Sequence, residues 1–564
     1  MQLTSGLKTK RRHQLLSKAP LAMSSALPPP AAIKIAGQDV PHGLQLTSDI
    51  RPPRSAAAPE QLGEICCGAP GALQWSAPAR QVLGATASGG ILQVQVVVFF
   101  RPLSNDRSAS AELNVEDQST LPNGVWHLTA ERRTREADLG DEALAKTWAQ
   151  AVKTWAYLEP RQLHVVINPF SGTGRGMQIW ETVVKPVLDL SPHMVQEHVT
   201  TSRGDCTRYC RELQLQPLAV VAALGGDGTM SEVLNGLLSR KDAKRGDFSV
   251  CFVPGGSANA MAHLTGCGDA LTAAWALAKG RLKTMDVFAL HLGAFQADSS
   301  FAAMAGTEPK FGFLSMTGAL IADIDIDSEV FRCCGESRFT AYAVLKIFGC
   351  CLCRCVAKVH SRLQYRYRVR WLPKAATCSL AEQSLMDARD LSKLQLRPDQ
   401  PGWQSWEGDL TFFGAYSAPA ISRTMHCARG TTLNDGTLNL QWKTPGGRVE
   451  LVQQFDMMDE GTHLRTAEGQ RNLTPTWHQA DVLAVIVDHL EDNSKVVIDG
   501  EALPEGSSWC AEVLPQFVSV VVGSGPLAAF GPQGGIHSDA QVMATPFGFP
   551  ADEACGLLAV AQLG

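Results

Sequence analysis

Two strand-to-turn-to-helix junctions constrain the chain more than anything else in it. The first reads LAVVAALGGDGTMSEVLNGLLSR, from Leu218 to Arg240, and the second FSVCFVPGGSANAMAHL, from Phe248 to Leu264. In each, an apolar β-type run ends in paired glycines and a short polar loop, and a helix-like pattern follows. This layout aims backbone N–H groups and a helix N-terminus at whatever lies above the sheet, which suits a phosphate. A third glycine-rich turn, INPFSGTGRG from Ile167 to Gly176, follows the apolar run LHVVI. Three such turns in close succession predict a nucleotide site.

A length of 564 residues leaves room for about three or four domains. The net charge of −5 argues against a nucleic-acid partner, which would call for a basic stripe. No run reaches the ~18 uninterrupted apolar residues of a membrane span. The longest candidates, ILQVQVVVFF and AYAVLKIFGCCLC, are short or broken, so a soluble protein is expected. The 16 cysteines include no paired CxxC motifs, which excludes an ordinary structural zinc site and predicts reduced cytosolic thiols. The cluster Cys350, Cys351, Cys353 and Cys355 reads as small buried hydrophobes on a helix, with palmitoylation or metal binding as the alternatives.

Composition divides the chain. Residues 1–60, rich in Ser, Pro, Ala and basic residues, read as a disordered leader, with a transit peptide as the alternative. Residues 64–158 read as short strands closed by a helix bearing Leu144, Trp148, Val152 and Trp155 on one face. This resembles a pleckstrin-homology-like module, and an ordinary β-rich domain fits equally. Residues 160–286 alternate strand and helix, as a doubly wound α/β nucleotide-binding domain does. Residues 287–525 read as an antiparallel, β-sandwich-like domain with insertions at 374–404 and 464–479, and 526–564 as a tail.

Asp227 sits within Gly225-Gly226-Asp227-Gly228, where glycines admit a phosphate and the carboxylate can hold Mg²⁺ or accept a hydroxyl proton. Glu232 either closes a capping box begun by Thr229 or orients Asp227 and the metal. The loop from Asn168 to Gly176 lacks the Gly-Lys-Ser/Thr of a Walker A motif. Its Asn168, Ser171, Gly172 and Thr173 are still candidates for nucleotide contact. Thr200, Ser257 and Asn259 join them from the neighbouring turns.

Together the GGDGT turn, the NPFSGTG loop and the PGGSANA loop resemble the diacylglycerol/sphingosine kinase superfamily of lipid kinases, in order and spacing. GGDGT also occurs in NAD kinases, so it leaves the substrate open. The segment SMTGALIADIDIDSEVFRCCGESRFT, Ser315 to Thr340, is similar to the lid and substrate region of sphingosine kinases. That resemblance implies that Asp325 binds a sphingoid amine, with Asp323 its nearest competitor and Ser315 near the head group. It implies that Arg332 and Arg338 reach the nucleotide phosphates. VVIDGE matches the family's DGE and implies that Asp499, Gly500 and Glu501 serve metal and nucleotide, with Asp227 and Asp499 as metal ligands. Residues 323–329 hold four acids, Asp323, Asp325, Asp327 and Glu329, a poor lining for an uncharged lipid and a good one for a cationic amine.

The resemblance covers roughly residues 160–370 and 408–525, with departures at Ser171, Gly255 and Ala258. Phe170 stands where some relatives carry a nucleotide-contacting Arg, which bears on nucleotide affinity more than on reaction type. What is implied is an ATP- and Mg²⁺-dependent kinase of sphingoid long-chain bases, cytoplasmic and peripherally membrane-associated. Ceramide kinase, diacylglycerol kinase and a non-catalytic lipid-binding relative are the rivals.

Overall fold

A computed structural model describes residues 31–32, 45–48, 50–51, 60–61, 64–69, 72–78, 80–102, 110–113, 129–157, 160–172, 174–216, 219–256, 259–279, 281–295, 301–304, 307–334, 337–348, 363–374, 395–396, 402–422, 425–463, 476–490, 495–503 and 508–523. Most of the leader, the tail, the cysteine cluster at 350–355 and most of both expected insertions lie outside these residues. The architecture is mixed α/β with large sheets. Among the described residues no helix is long and apolar enough to cross a membrane.

After short antiparallel strands between residues 31 and 78 comes an antiparallel sheet with β1 (Val82–Ser88), β2 (Ile91–Pro102) and β3 (Thr129–Asp138) in the order β3-β2-β1. Helix α1 (Glu142–Trp155) follows, its first turn capped by Asp141, which accepts from the Leu144 N–H at 2.6 Å. Trp148, Val152 and Trp155 are buried from α1, as their spacing predicts.

A parallel unit begins at β4 (Gln162–Ile167). It continues through α2, which combines Gly176–Ile179, a π-helical turn at Trp180–Val184 and Lys185–Leu188, to β5 (Met194–Val199) and α3 (Asp205–Glu212). Then come β6 (Val220–Gly225), α4 (Asp227–Leu238), β7 (Ser249–Pro254), α5 (Ala260–Leu264) and α6 (Ala270–Lys279). β4 lies between β5 and β6, and β7 extends the sheet beyond β6, all parallel. Every residue of β6 is buried, because helices cover both faces of a parallel sheet. Val221, Ala223, Val250 and Phe252 pack on Met230, Val233 and Leu234 of α4 and on Cys206 and Cys210 of α3.

The opposite face changes the picture of the N-terminal module. Val165, Ile167, Val220, Ala222 and Val253 share one core with Trp275 of α6 and with Val94, Val97, Phe99, Trp148 and Val152. Phe99 meets Trp275 edge-on, ring centroids 5.0 Å apart. Trp275 Nε1 donates to the Arg80 carbonyl at 2.6 Å, and the Tyr157 hydroxyl to the Leu83 carbonyl at 2.8 Å. The β1–α1 unit therefore supplies one wall of the catalytic half's own core.

The C-terminal half is largely antiparallel. Its elements are β8 (Leu282–Phe295), β9 (Ser315–Gly318), α7 (Ala319–Asp327), a 3₁₀ segment at Ser328–Cys334, α8 (Ser337–Phe348), β10 (Tyr365–Pro373), β11 (Gln404–Leu410), β12 (Phe412–Tyr416), β13 (Leu438–Lys443), α9 (Arg448–Glu460), β14 (Trp477–His489), β15 (Val496–Ile498) and β16 (Ser508–Val521). β16 joins the halves. It runs antiparallel to β8 and β14, and its end pairs parallel with β7, Ser249 opposite Ser519.

Candidate active site

The three glycine turns meet backbone to backbone. Gly255 and Gly256 donate their N–H groups to the Gly225 carbonyl at 2.8 and 3.1 Å. A Cβ on Gly256 would lie 2.5 Å from the Gly226 Cα, and one on Gly172 only 2.6 Å from the Gly255 carbonyl oxygen. Gly172 also has φ +57°, so the first turn needs glycine for conformation as well as for room. Asn168 pins the arrangement: its Oδ1 accepts from the Phe170 N–H at 3.0 Å, and its Nδ2 donates to Thr229 Oγ1 at 3.1 Å. Asn259 closes its own loop, accepting from Gly256 N–H at 3.0 Å and donating to the Gly256 carbonyl at 2.7 Å. Ser171 faces Gly226, its Oγ 3.6 Å from where a Cβ there would sit.

Asp227 opens α4 with Gly226 as its N-cap. Its two oxygens accept from the first amides of α5, Ala260 at 2.9 Å and Met261 at 3.2 Å. Burial nevertheless pushes its carboxyl above the usual carboxylate range, against those hydrogen bonds.

Asp499 and Gly500, at φ +49° and +83°, form the two-residue hairpin turn between β15 and Glu501-Ala502. The Asp499 carboxylate collects three backbone N–H groups, from Phe313 at 3.0 Å, Leu314 at 3.0 Å and Ser315 at 2.9 Å. Burial lifts it to about 7, the three amides oppose this, and the Asp227 charge adds to it. Glu501 pairs with Arg203, and its Oε1 lies 3.7 Å from where a Cβ on Gly228 would sit.

The acids of the 323–329 stretch are not equivalent. Asp323 and Asp327, one helical turn apart on α7, share the buried Lys346 of α8 at 2.9 and 3.6 Å. Asp323 also accepts from the Tyr365 hydroxyl at 2.7 Å, and Asp327 pairs with Lys495. Glu329 pairs with Arg338, whose guanidinium lies 4.6 Å from the Phe339 ring centre. Asp325, on the other side of α7, makes no side-chain hydrogen bond or ion pair among the described residues. Burial raises it to about 6; the Arg338 charge opposes this, and Glu329 and Glu501 add to it.

The diacylglycerol kinase catalytic domain matches residues 162–290, from β4 into β8. Sphingosine kinase 1 of Homo sapiens is 30% identical over 329 residues, covering 54% of this chain and 78% of that protein. The chain belongs to the sphingosine kinase family. Sphingoid long chain base kinase 4 of Schizosaccharomyces pombe is 32% identical over 306 residues, 53% of this chain and 63% of its own length. Sphingosine kinase 1 of Arabidopsis thaliana is 25% identical over 325 residues, covering 54% of this chain and 61% of that protein. The chain thus spans about three fifths of the length of these last two relatives.

The structure brings together Asn168, Ser171, Gly172, Gly225, Gly226, Asp227, Gly228 and Asn259, and on the facing hairpin Asp499, Gly500 and Glu501. Thr173 and Ser257 lie outside the described residues, as does the Arg332 side chain, whose backbone is in the 3₁₀ segment. Thr200 turns inward, its hydroxyl donating to the Ile167 carbonyl at 3.3 Å. Of the two readings of Glu232, the capping box does not form, because α4 starts two residues before Thr229; the side chain accepts from the Gly204 N–H at 3.1 Å. Asp323 is engaged by the Lys346 ammonium and the Tyr365 hydroxyl. Arg203, bridging to Glu501, was missed. Its position in the loop after β5, at the carboxyl end of a parallel strand, was the available signal.

The donor set fits Mg²⁺. No group of three or more His, Cys, Asp or Glu gathers among the described residues, but this ion needs only one or two carboxylates beside phosphate and water. Asp227 and Asp499 each retain lone pairs beyond the amides they accept; burial holds both above their ordinary range, and the Asp227 charge adds to the rise at Asp499.

Proposed function

We propose that this family member transfers the γ-phosphoryl group of ATP to the primary hydroxyl of sphingosine or a related sphingoid long-chain base. The observation that carries the substrate is Asp325. Of four neighbouring acids it alone makes no ion pair among the described residues, and it sits where burial disfavours its charge. A protonated amine relieves that penalty; the amide of ceramide and the ester of diacylglycerol do not.

In the reaction Asp227 accepts the proton of the lipid hydroxyl as its oxygen attacks the γ-phosphorus and ADP departs. The raised proton affinity of Asp227 suits a base, and the amides of Ala260 and Met261 hold the carboxylate in place. The backbone of the three turns cradles the phosphates, and Arg332 and Arg338 neutralise the transferring group, Arg338 after exchanging Glu329 for phosphate. Asp227 and Asp499 would hold Mg²⁺, which when bound supplies charge neutralisation across the phosphates. Asp499 also orients the strand that carries Ser315 toward the head group.

The acyl chain would enter from a membrane surface under α8, so the enzyme works as a cytoplasmic, peripheral membrane protein. With this reading goes the finer architecture: a doubly wound nucleotide-binding unit, a β-sandwich-like lipid unit and a pleckstrin-homology-like N-terminal module. The parallel β5-β4-β6-β7 order with helices on both faces supports the first.

The test is phosphoryl transfer from radiolabelled ATP to sphingosine, ceramide, diacylglycerol and NAD in parallel. Label on sphingosine alone is expected. Preference for an uncharged lipid would refute the amine reading, and absence of turnover on all four would favour a non-catalytic lipid-binding relative.

A further inference from the structure

Lys346 is 4% exposed, and a lysine is almost never so buried unless its charge is met. It lies on the inner face of α8 with Tyr342, Ala343 and Ile347. Its ammonium sits between Asp323 and Asp327 of α7, at 2.9 and 3.6 Å. Lys495, at the start of β15, reaches the same two carboxylates from the other side, 4.0 Å from Asp323 and in direct contact with Asp327. The Tyr365 hydroxyl of β10 donates to Asp323. Two lysines thus cancel two aspartates, and the pairs fasten α7 to α8, to β10 and to the hairpin that bears Asp499 and Glu501. None of these groups has a part in the phosphoryl transfer described above.

Their arrangement sorts charge. Asp323 and Asp327 face Lys346; Asp325, two residues from each, is turned the other way by the helical repeat. Were α7 to roll or slide against α8, a different acid of the same stretch would be presented to the cleft.

We propose that Lys346 is a positioning residue of the amine subsite: by holding Asp323 and Asp327 it fixes the rotation of α7 that presents Asp325 to the sphingoid amine. The inference rests on the amine reading of Asp325. It adds a determinant of lipid recognition on α8 that does not touch the lipid amine itself.

The experiment compares full-length wild type, Lys346→Met, Lys346→Arg and Asp325→Asn, measuring kcat and KM for both sphingosine and ATP. Lys346→Met is expected to raise the sphingosine KM roughly tenfold, the size of a lost hydrogen bond to a charged group, with the ATP KM unchanged. Lys346→Arg should restore most of the lipid affinity. Should Lys346→Met not fold, as judged by circular dichroism, the double variant Asp323→Asn/Lys346→Met removes both buried charges and carries the same expectation. A wild-type sphingosine KM in the folded variant overturns the proposal. So does an ATP KM that rises in step with it, which marks a general packing defect. If Asp325→Asn itself leaves the sphingosine KM unchanged, the amine reading fails; if it raises KM while Lys346→Met does not, only the role of Lys346 fails.

Discussion

Replacing Asp325 with Asn should make the protein more stable and a worse enzyme. Burial lifts Asp325 from its ordinary 3.8 to about 6. At ~1.4 kcal/mol per unit that is up to ~3 kcal/mol, and solvent screening of a partly exposed group reduces it to ~1–2 kcal/mol. The sign follows from proton binding. A folded value above the unfolded one means that Asp325 contributes stability complete below its ordinary 3.8 and lost as pH rises through about 6. At pH 7.5 the wild type therefore carries the cost of an unpaired carboxylate that Asn does not. Thermal unfolding at that pH should show Asp325→Asn melting about 1–3 °C higher. At pH 5, where the wild-type carboxyl is largely protonated, the two curves should converge. The sphingosine KM should rise roughly 10- to 100-fold, because the charge-assisted contact is gone. A variant less stable than wild type at pH 7.5, or one with unchanged KM, would refute the reasoning.

Asp227→Asn should lower kcat by about a thousandfold or more with the fold retained, since Asn can still accept one α5 amide; circular dichroism and the radiolabel assay check this. Asp499→Ala strands the buried amides of Phe313, Leu314 and Ser315 and should cost ~2–4 kcal/mol in urea unfolding, so an unchanged midpoint would show that the carboxylate serves only the nucleotide. Deleting residues 1–158 should yield aggregated or unfolded protein, because it strips Trp148, Val152 and Phe99 from the core that also holds Trp275 and Val165; a folded, active truncation would contradict the shared core.

The three glycine turns were legible because close backbone approach demands glycine, and glycine is visible in a sequence. The VVIDGE segment was legible as a match to the family's DGE, though the hairpin turn that Asp499 and Gly500 form was not read from it. The main structural work of Asp499 was not, since the amides of Phe313, Leu314 and Ser315 carry no residue signature. The sorting of the acidic stretch was also hidden: Lys495 lies 168 residues beyond Asp327, and only the fold brings them together. The α1 stripe correctly marked Trp148 and Val152 as buried, yet periodicity cannot say against what. The answer, the underside of the catalytic sheet, came from β2, whose Val97 and Phe99 are buried on the face opposite Val94 and Val96.

The backbone-to-backbone meeting of the glycine turns divides the site into a floor that cannot vary and a rim that can. No side chain lies between Gly226 and Gly256, so evolution has no lever there short of moving three loops together. Adaptation toward another nucleotide or phosphate count must come from residues standing clear of that floor. Phe170, 75% exposed on the first turn, is such a place. Lineages of this enzyme should therefore diverge in nucleotide preference at positions like it, while the turns beneath stay recognisable long after overall identity has faded.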